Sequence, residues 1–258
     1  MPFSPCPAGE GGGFATLVRP VLKLRTVKLS QILFSQGFGT RRECAGLIAS
    51  GQVTIAGAVC DDPDHDVATD GLAFGVRGEL WQYHARALVL LNKPAGYECS
   101  QKPKHHASVY SLLPAPLRNR EVQAVGRLDE DTTGLLLLTD DGQLIHKLTS
   151  PRHHVPKVYD IDCAEAVNEA QVKMLLDGVM LSDERTPVRA AACEMLGDKR
   201  LRLTLTEGKY HQVKRMLAAA GNSVTALHRS AFGALLLPED LAPGQWRWLP
   251  GPEVLYLL

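Results

Sequence analysis

Two short, uninterrupted apolar runs, Ala87–Leu91 and Leu135–Leu138, constrain this chain more than any other feature. Asn92-Lys93-Pro94 closes the first and Asp140-Asp141-Gly142 the second. Runs of this length are too short for a buried helix, and bilayer crossing takes roughly 20 residues. They suit strands covered on both faces, so the chain must build layers over each side of a sheet. With 258 residues, 45% of them apolar, it is long enough to do so in one large domain or two smaller ones. Its apolar fraction and its formal net charge of zero exclude a disordered chain.

Around these runs the pattern is mixed. Val158–Cys163 and Leu201–Thr206 alternate apolar and polar residues, with Leu201, Leu203 and Leu205 sharing one side. Helices are predicted at 143–149, 168–178 and 211–220, the last stopped by Gly221. Strands and helices interleave without a strict parallel-crossover rhythm, so the expected class is α+β.

Ahead of this domain lies a smaller unit. Ser30 is expected to cap a short helix carrying Ile32, Leu33 and Phe34, ended by Gly37-Phe38-Gly39. Thr40-Arg41-Arg42-Glu43 fits a capping box that starts a second helix, stopped by Gly51, and residues 52–57 follow as strand and turn. The predicted organisation is a flexible Pro- and Gly-rich extension over 1–26, an ααβ unit over 27–72, a linker over 73–84 and the larger domain over 85–258. The acidic stretch Asp61–Asp66 fails the spacing of a calcium loop, because Val67 and Ala73 stand where Gly and Glu are required. It reads as solvated linker.

Zero net charge conceals segregation. From Arg19 to Val53 six basic residues face Glu43 alone, and from Lys199 to Arg215 six face Glu207 alone, while the acids concentrate in 61–70 and 129–141. Local patches set the field a phosphate chain feels. Arg41 and Arg42 oppose the positive end of their helix, and either form a solvated face or receive RNA phosphates with the helix N–H groups. The six cysteines, Cys6, Cys44, Cys60, Cys99, Cys163 and Cys193, include no CxxC pair, and the first 13 residues lack the order of a secretion signal. The expectation is a reduced, cytoplasmic, soluble protein with no metal and no membrane association.

Two segments concentrate chemistry. In Gly126-Arg127-Leu128-Asp129-Glu130-Asp131-Thr132-Thr133-Gly134 three adjacent carboxylates point in different directions. Asp131 reads as a turn residue bonding its own backbone and Glu130 as solvated, which leaves Asp129, beside apolar Leu128, as either a structural carboxylate or a reactive one. In Glu207-Gly208-Lys209-Tyr210-His211-Gln212-Val213-Lys214-Arg215 a helix start carries cations at the end of a strand. Lys214 shares a face with His211, and Arg215 lies about 100° round.

The segment from Leu29 to Gly57 resembles the S4 domain, a small RNA-binding module. GRLDEDTTGLLLLTDDG and EGKYHQVKRMLAAAGN, together with LNKPAG and SPRHHVPKVY, resemble the pseudouridine synthases of the RsuA family, from about Lys28 to the C-terminus. The likeness favours the branch that modifies small-subunit (16S) ribosomal RNA. It implies an S4-like domain followed by a catalytic domain with a mixed, mainly antiparallel sheet. It also implies a monomeric isomerase without a cofactor, acting on ribosomal RNA, free or in an assembling small subunit. Asp129 matches the carboxylate that attacks the target nucleotide, so that uracil detaches, rotates and rejoins through C5. Tyr159 matches the ring that stacks on uracil, and Lys214 the cation paired with the aspartate. Arg127 would hold the flipped nucleotide or a phosphate. Lys28, Arg41, Arg42, Arg152, His153, Lys157, Lys209, His211, Gln212 and Arg215 are the candidate RNA contacts. Three alternatives compete: action on 23S RNA, a non-catalytic ribosome-assembly scaffold, and a glycosidase with a second acid facing Asp129.

Overall fold

A computed structural model describes residues 26–249 and 251 of the protein. The expected extension, apart from residue 26, lies outside the described residues. In the N-terminal unit, β1 (Thr26–Lys28) leads into α1 (Leu29–Ser35) and α2 (Arg41–Ala49). The capping box of α2 forms, the Thr40 N–H donating to Glu43 Oε2 at 2.7 Å and the Glu43 N–H to Thr40 Oγ1 at 3.3 Å. Ser30 does not cap α1; Lys28 holds that position without a side-chain hydrogen bond. Five strands follow: β2 (Val53–Ile55), β3 (Ala58–Val59), β4 (Asp66–Ala68), β5 (Ala73–Val76) and β6 (Glu79–Gln82). They make a four-stranded sheet in the order β3-β2-β5-β6, with β4 paired to β1. Residues 73–84, expected as linker, therefore supply a hairpin of this unit. Phe74 and Val76 of that hairpin complete a core with Leu29, Ile32 and Ile48, which two helices and one strand could not have enclosed.

The larger unit begins with β7 (Leu88–Lys93). Small elements follow: β8 (Tyr97–Glu98), β9 (Ala107–Ser108), α3 (Ala115–Asn119) and β10 (Gln123–Ala124). Then come β11 (Thr133–Thr139), α4 (Gly142–Thr149), β12 (Lys157–Cys163) and α5 (Glu169–Asp177). The chain continues through β13 (Ala192–Gly197), β14 (Arg200–Leu205), α6 (Gln212–Ala219), β15 (Val224–Phe232), β16 (Leu235–Leu236) and β17 (Trp246–Trp248). The main sheet runs β13-β14-β12-β15-β11-β7-β17, with β11–β15 its one parallel pair along that path. The sheet is thus mixed and mainly antiparallel, as expected. All six residues of β7 are buried. Val89 and Leu91 join Leu136 and Leu138 on one face, while Leu88 and Leu90 join Leu135 and Leu137 on the other. This double covering is why these two strands carry no polar alternation. Among the described residues no helix is long and apolar enough to cross a membrane.

A polar seam joins the two units. Within the N-terminal unit the Gln36 side chain donates to the His84 carbonyl and accepts from its N–H, both at 3.1 Å, and across the seam Arg120 Nη1 donates to Gln36 Oε1 at 2.9 Å. Arg120 also pairs with Asp140 at 2.6 Å, with side chains only 4% and 15% exposed. Gly37, at φ +84°, abuts the Pro116 carbonyl so closely that an added Cβ would lie 2.1 Å from its oxygen. His84 stacks on Trp248 at 3.9 Å.

Candidate active site

The loop before β11 carries Asp129, and buried anchors fix its backbone. Lys93, at the end of β7, is completely buried; its Nζ donates to the carbonyls of Pro94 (3.0 Å), Glu130 (3.1 Å) and Thr132 (2.8 Å). Burial pushes the Lys93 pKa below its ordinary value, and the three carbonyls replace the water that the ammonium has lost. The Gly96 N–H donates to the Glu130 carbonyl at 2.8 Å and the Thr132 N–H to the Asp129 carbonyl at 3.1 Å. Glu130 is exposed, as expected.

Asp129 is half-buried and meets two nitrogen groups from the start of α6. Its Oδ1 lies 3.3 Å from His211 Nε2 and its Oδ2 3.6 Å from Lys214 Nζ. Lys214 is closer to Asp131, however, at 2.7 Å from both carboxylate oxygens. Asp131 is therefore not simply a turn residue: it shares Lys214 with Asp129. Burial works against the charged forms of Asp131 and Lys214. Their hydrogen bond and mutual attraction outweigh it, leaving the Asp131 pKa below and the Lys214 pKa above their ordinary values. His211 takes the left-handed conformation, φ 47°, where α6 begins, with the Tyr210 ring stacked on it at 3.8 Å.

These groups border a cavity of about 380 Å³ that Arg127, Asp129, Tyr159, His211 and Lys214 all line. Tyr159, on β12, is half-buried and contacts the cores on both sides of it. The structure thus brings Asp129, Tyr159, Lys214 and Arg127 to one place.

The candidate RNA contacts divide. Arg41, Arg42, Arg152 and His153 are exposed, Arg41 lying over the Phe34 ring at 4.6 Å. Lys28 pairs with Asp64 at 2.7 Å. Lys209 is tied to Glu184 at 2.9 Å and Glu207 at 3.5 Å, and Arg215 to Asp183 and the Tyr210 carbonyl. Three expectations need correction. Gln212 is buried, its amide donating to Glu207 (3.1 Å) and accepting from the Lys209 N–H (2.8 Å), so it braces the turn before α6. Lys157 is 8% exposed and forms part of the cavity floor, because it faces inward from the same side of β12 as Tyr159. His211, expected as an RNA contact, stands against Asp129 instead.

Three contributors escaped sequence reasoning. Lys93 read only as a turn residue, and Arg229 and Phe232 sit on β15, which was not predicted as a strand. Leu227, Arg229 and Ala231 alternate inward along it. The signal was a period-two pattern with a cation in place of an apolar residue. Among the described residues no group of three or more His, Cys, Asp or Glu could hold a metal ion.

Residues 87–219 match the family described as RNA pseudouridylate synthase, and residues 27–70 match the S4 domain. The chain belongs to the RNA pseudouridylate synthase family, with an S4 domain ahead of its catalytic domain. Among curated relatives it is 41% identical over 227 residues to ribosomal small subunit pseudouridine synthase A of Escherichia coli (strain K12), covering 85% of this chain and 95% of that one. It is 37% identical to the protein of the same name from Pasteurella multocida (strain Pm70), over 88% and 98% of the two chains. A solved structure titled as a crystal structure of pseudouridylate synthase aligns over 90% of this chain and all of its own, with 35% identity and a TM-score of 0.64.

Proposed function

We propose that the protein converts one uridine of 16S ribosomal RNA, the residue at position 516, into pseudouridine, with Asp129 as nucleophile and no cofactor. Isomerisation adds and removes no net atoms. The N1–C1′ bond breaks, a C5–C1′ bond forms, the C5 proton leaves and N1 is reprotonated. The enzyme must extrude the nucleotide, hold the base while it is free, and supply a carboxylate that attacks the nucleotide at its sugar or its base. Tyr159 would stack on the extruded uracil, Lys214 and His211 would hold and aim the Asp129 carboxylate, and Arg127 at the rim would hold the flipped nucleotide or its phosphate. The observation that carries this reading is the meeting of Asp129, Lys214 and His211 with Tyr159 in one cavity. Its companion is the 95% coverage of a relative named for the small subunit. Within this reading the protein works as a monomer in the cytoplasm, on free RNA or an assembling subunit.

Mapping pseudouridine across ribosomal RNA from cells with and without the protein tests the target. Loss of one modification in 16S RNA is the expected result; loss from 23S RNA alone, or no loss, overturns it.

Docking is proposed to use the exposed face of α2. Replacing Arg41 and Arg42 together by Ala should weaken RNA binding and flatten the log–log dependence of affinity on salt by about one to two units. An unchanged slope returns both residues to a solvated face.

A further inference from the structure

The cavity floor holds charge that the proposed mechanism leaves unused. Arg229 is 2% exposed and lies opposite Tyr159 where β12 pairs with β15. Its Nε–H donates to the Leu135 carbonyl at 2.7 Å, and its Nη2 is buried without a partner. Among the described residues no carboxylate stands within ion-pair distance of it. Lys157, two residues before Tyr159 and opposite Phe232, is the second cation, its Nζ donating to the Val155 carbonyl at 2.8 Å. Both charged groups lie 5.4 Å from the centre of the Phe232 ring, which offsets part of the cost of burying them. Glu207, the other carboxylate lining the cavity, is already engaged by Lys209 and Gln212.

Two buried cations without a counter-ion destabilise the empty cavity. They are favourable only when negative charge arrives beside them. Asp129 is provided for at the rim by Lys214 and His211, so the floor is reserved for a different anion. The reaction makes one. When N1–C1′ breaks, its electron pair stays with the base, and the negative charge spreads over N1, O2 and O4. It disappears once C5 has bonded to C1′, lost its proton, and N1 has been reprotonated.

We propose that Arg229, with Lys157 beside it, is a catalytic residue that donates to a carbonyl oxygen of the detached uracil and stabilises it as an anion. The inference rests on the reading that this cavity takes the target uridine. The position suits it, because Arg229 neighbours the tyrosine on which the base would stack. A donor fixed in place before the charge develops stabilises the transition state more than the neutral substrate.

Two free bases test this by calorimetry on the full chain near neutral pH: uracil, which is neutral there, and 5-nitrouracil, whose nitro group makes the ring an anion. The wild type should bind 5-nitrouracil at least about tenfold more tightly than uracil. Arg229→Gln should abolish that preference, Arg229→Lys should keep part of it, and Lys157→Met should reduce it. In single turnover Arg229→Gln should slow pseudouridine formation about 10²-fold. Equal affinity for the two bases in the wild type, or an undiminished preference in folded Arg229→Gln, overturns the proposal. The wild-type comparison decides even if that variant fails to fold. Tyr159→Ala separates the two levels. It should weaken both bases together; no uracil binding in the wild type, or none lost in Tyr159→Ala, overturns the cavity reading itself and the proposal with it.

Discussion

Replacing Asp129 by Asn is expected to lower the single-turnover rate of pseudouridine formation by about 10⁴-fold or more, the scale of loss when a covalent nucleophile is removed. The substitution is nearly isosteric and retains an oxygen that can face His211, so the cavity keeps its shape. Only the charge and the nucleophilic oxygen are lost. The contacts weakened by loss of the charge, 3.3 Å to His211 and 3.6 Å to Lys214, involve side chains that are about a quarter to a third exposed, so stability should change by no more than about 1 kcal/mol. Release of tritium from C5 of labelled uridine in ribosomal RNA reports the rate, and a thermal melt reports the fold. A folded variant within tenfold of the wild type would mean that another group attacks the nucleotide.

The second large effect is expected at Lys214. Lys214→Met should slow the reaction about 10²- to 10³-fold, because Asp129 and Asp131 then face each other with only His211 nearby. Two carboxylates without a shared cation cannot both ionise easily, so the pKa of one of them rises. The sign of the pH dependence follows. In the wild type, the pair is intact above the lowered pKa of Asp131 and below the raised pKa of Lys214. Its contribution is lost as pH falls through the first or rises through the second. Without Lys214 the acid limb of the rate profile should move to higher pH, and adding Asp131→Asn should move it back and recover part of the rate. An acid limb that stays in place would assign Lys214 to RNA contact alone. Because Asp131 is 57% exposed, little stability is at stake, and the effect belongs to catalysis.

Much of the architecture was legible because burial on two faces leaves a plain mark. The runs at 87–91 and 135–138 could be nothing but central strands, and β12 and β14 declared themselves by alternation. The capping box at Thr40 and Glu43 was equally plain, since both partners lie within one turn. What stayed hidden depended on groups distant in sequence. Lys157 read only as an RNA contact and Arg229 carried no reading, because single-residue polarity carries no information about a cavity. They face inward only because β12 and β15 happen to be neighbours, and β15 itself was masked by Arg229 interrupting its apolar alternation. Helical spacing located Lys214 but could not choose between Asp129 and Asp131. That choice is made by the loop backbone, which Lys93 pins from 37 and 39 residues away. The hairpin at 73–82 was missed for a related reason: its short strands have a partner only once α1 and α2 present an apolar face to cover.

The Gln36–Arg120 hydrogen bond and the His84–Trp248 stack between the two units also bear on how a substrate would be chosen. An N-terminal module tethered by a loose string could reach phosphates over a range of distances. One bolted to its neighbour through side chains and the close-fitting backbone of Gly37 has a fixed span. Together the α2 face and the Asp129 cavity would act as a caliper, admitting uridines that stand at a set separation from a backbone bend and passing over identical bases elsewhere.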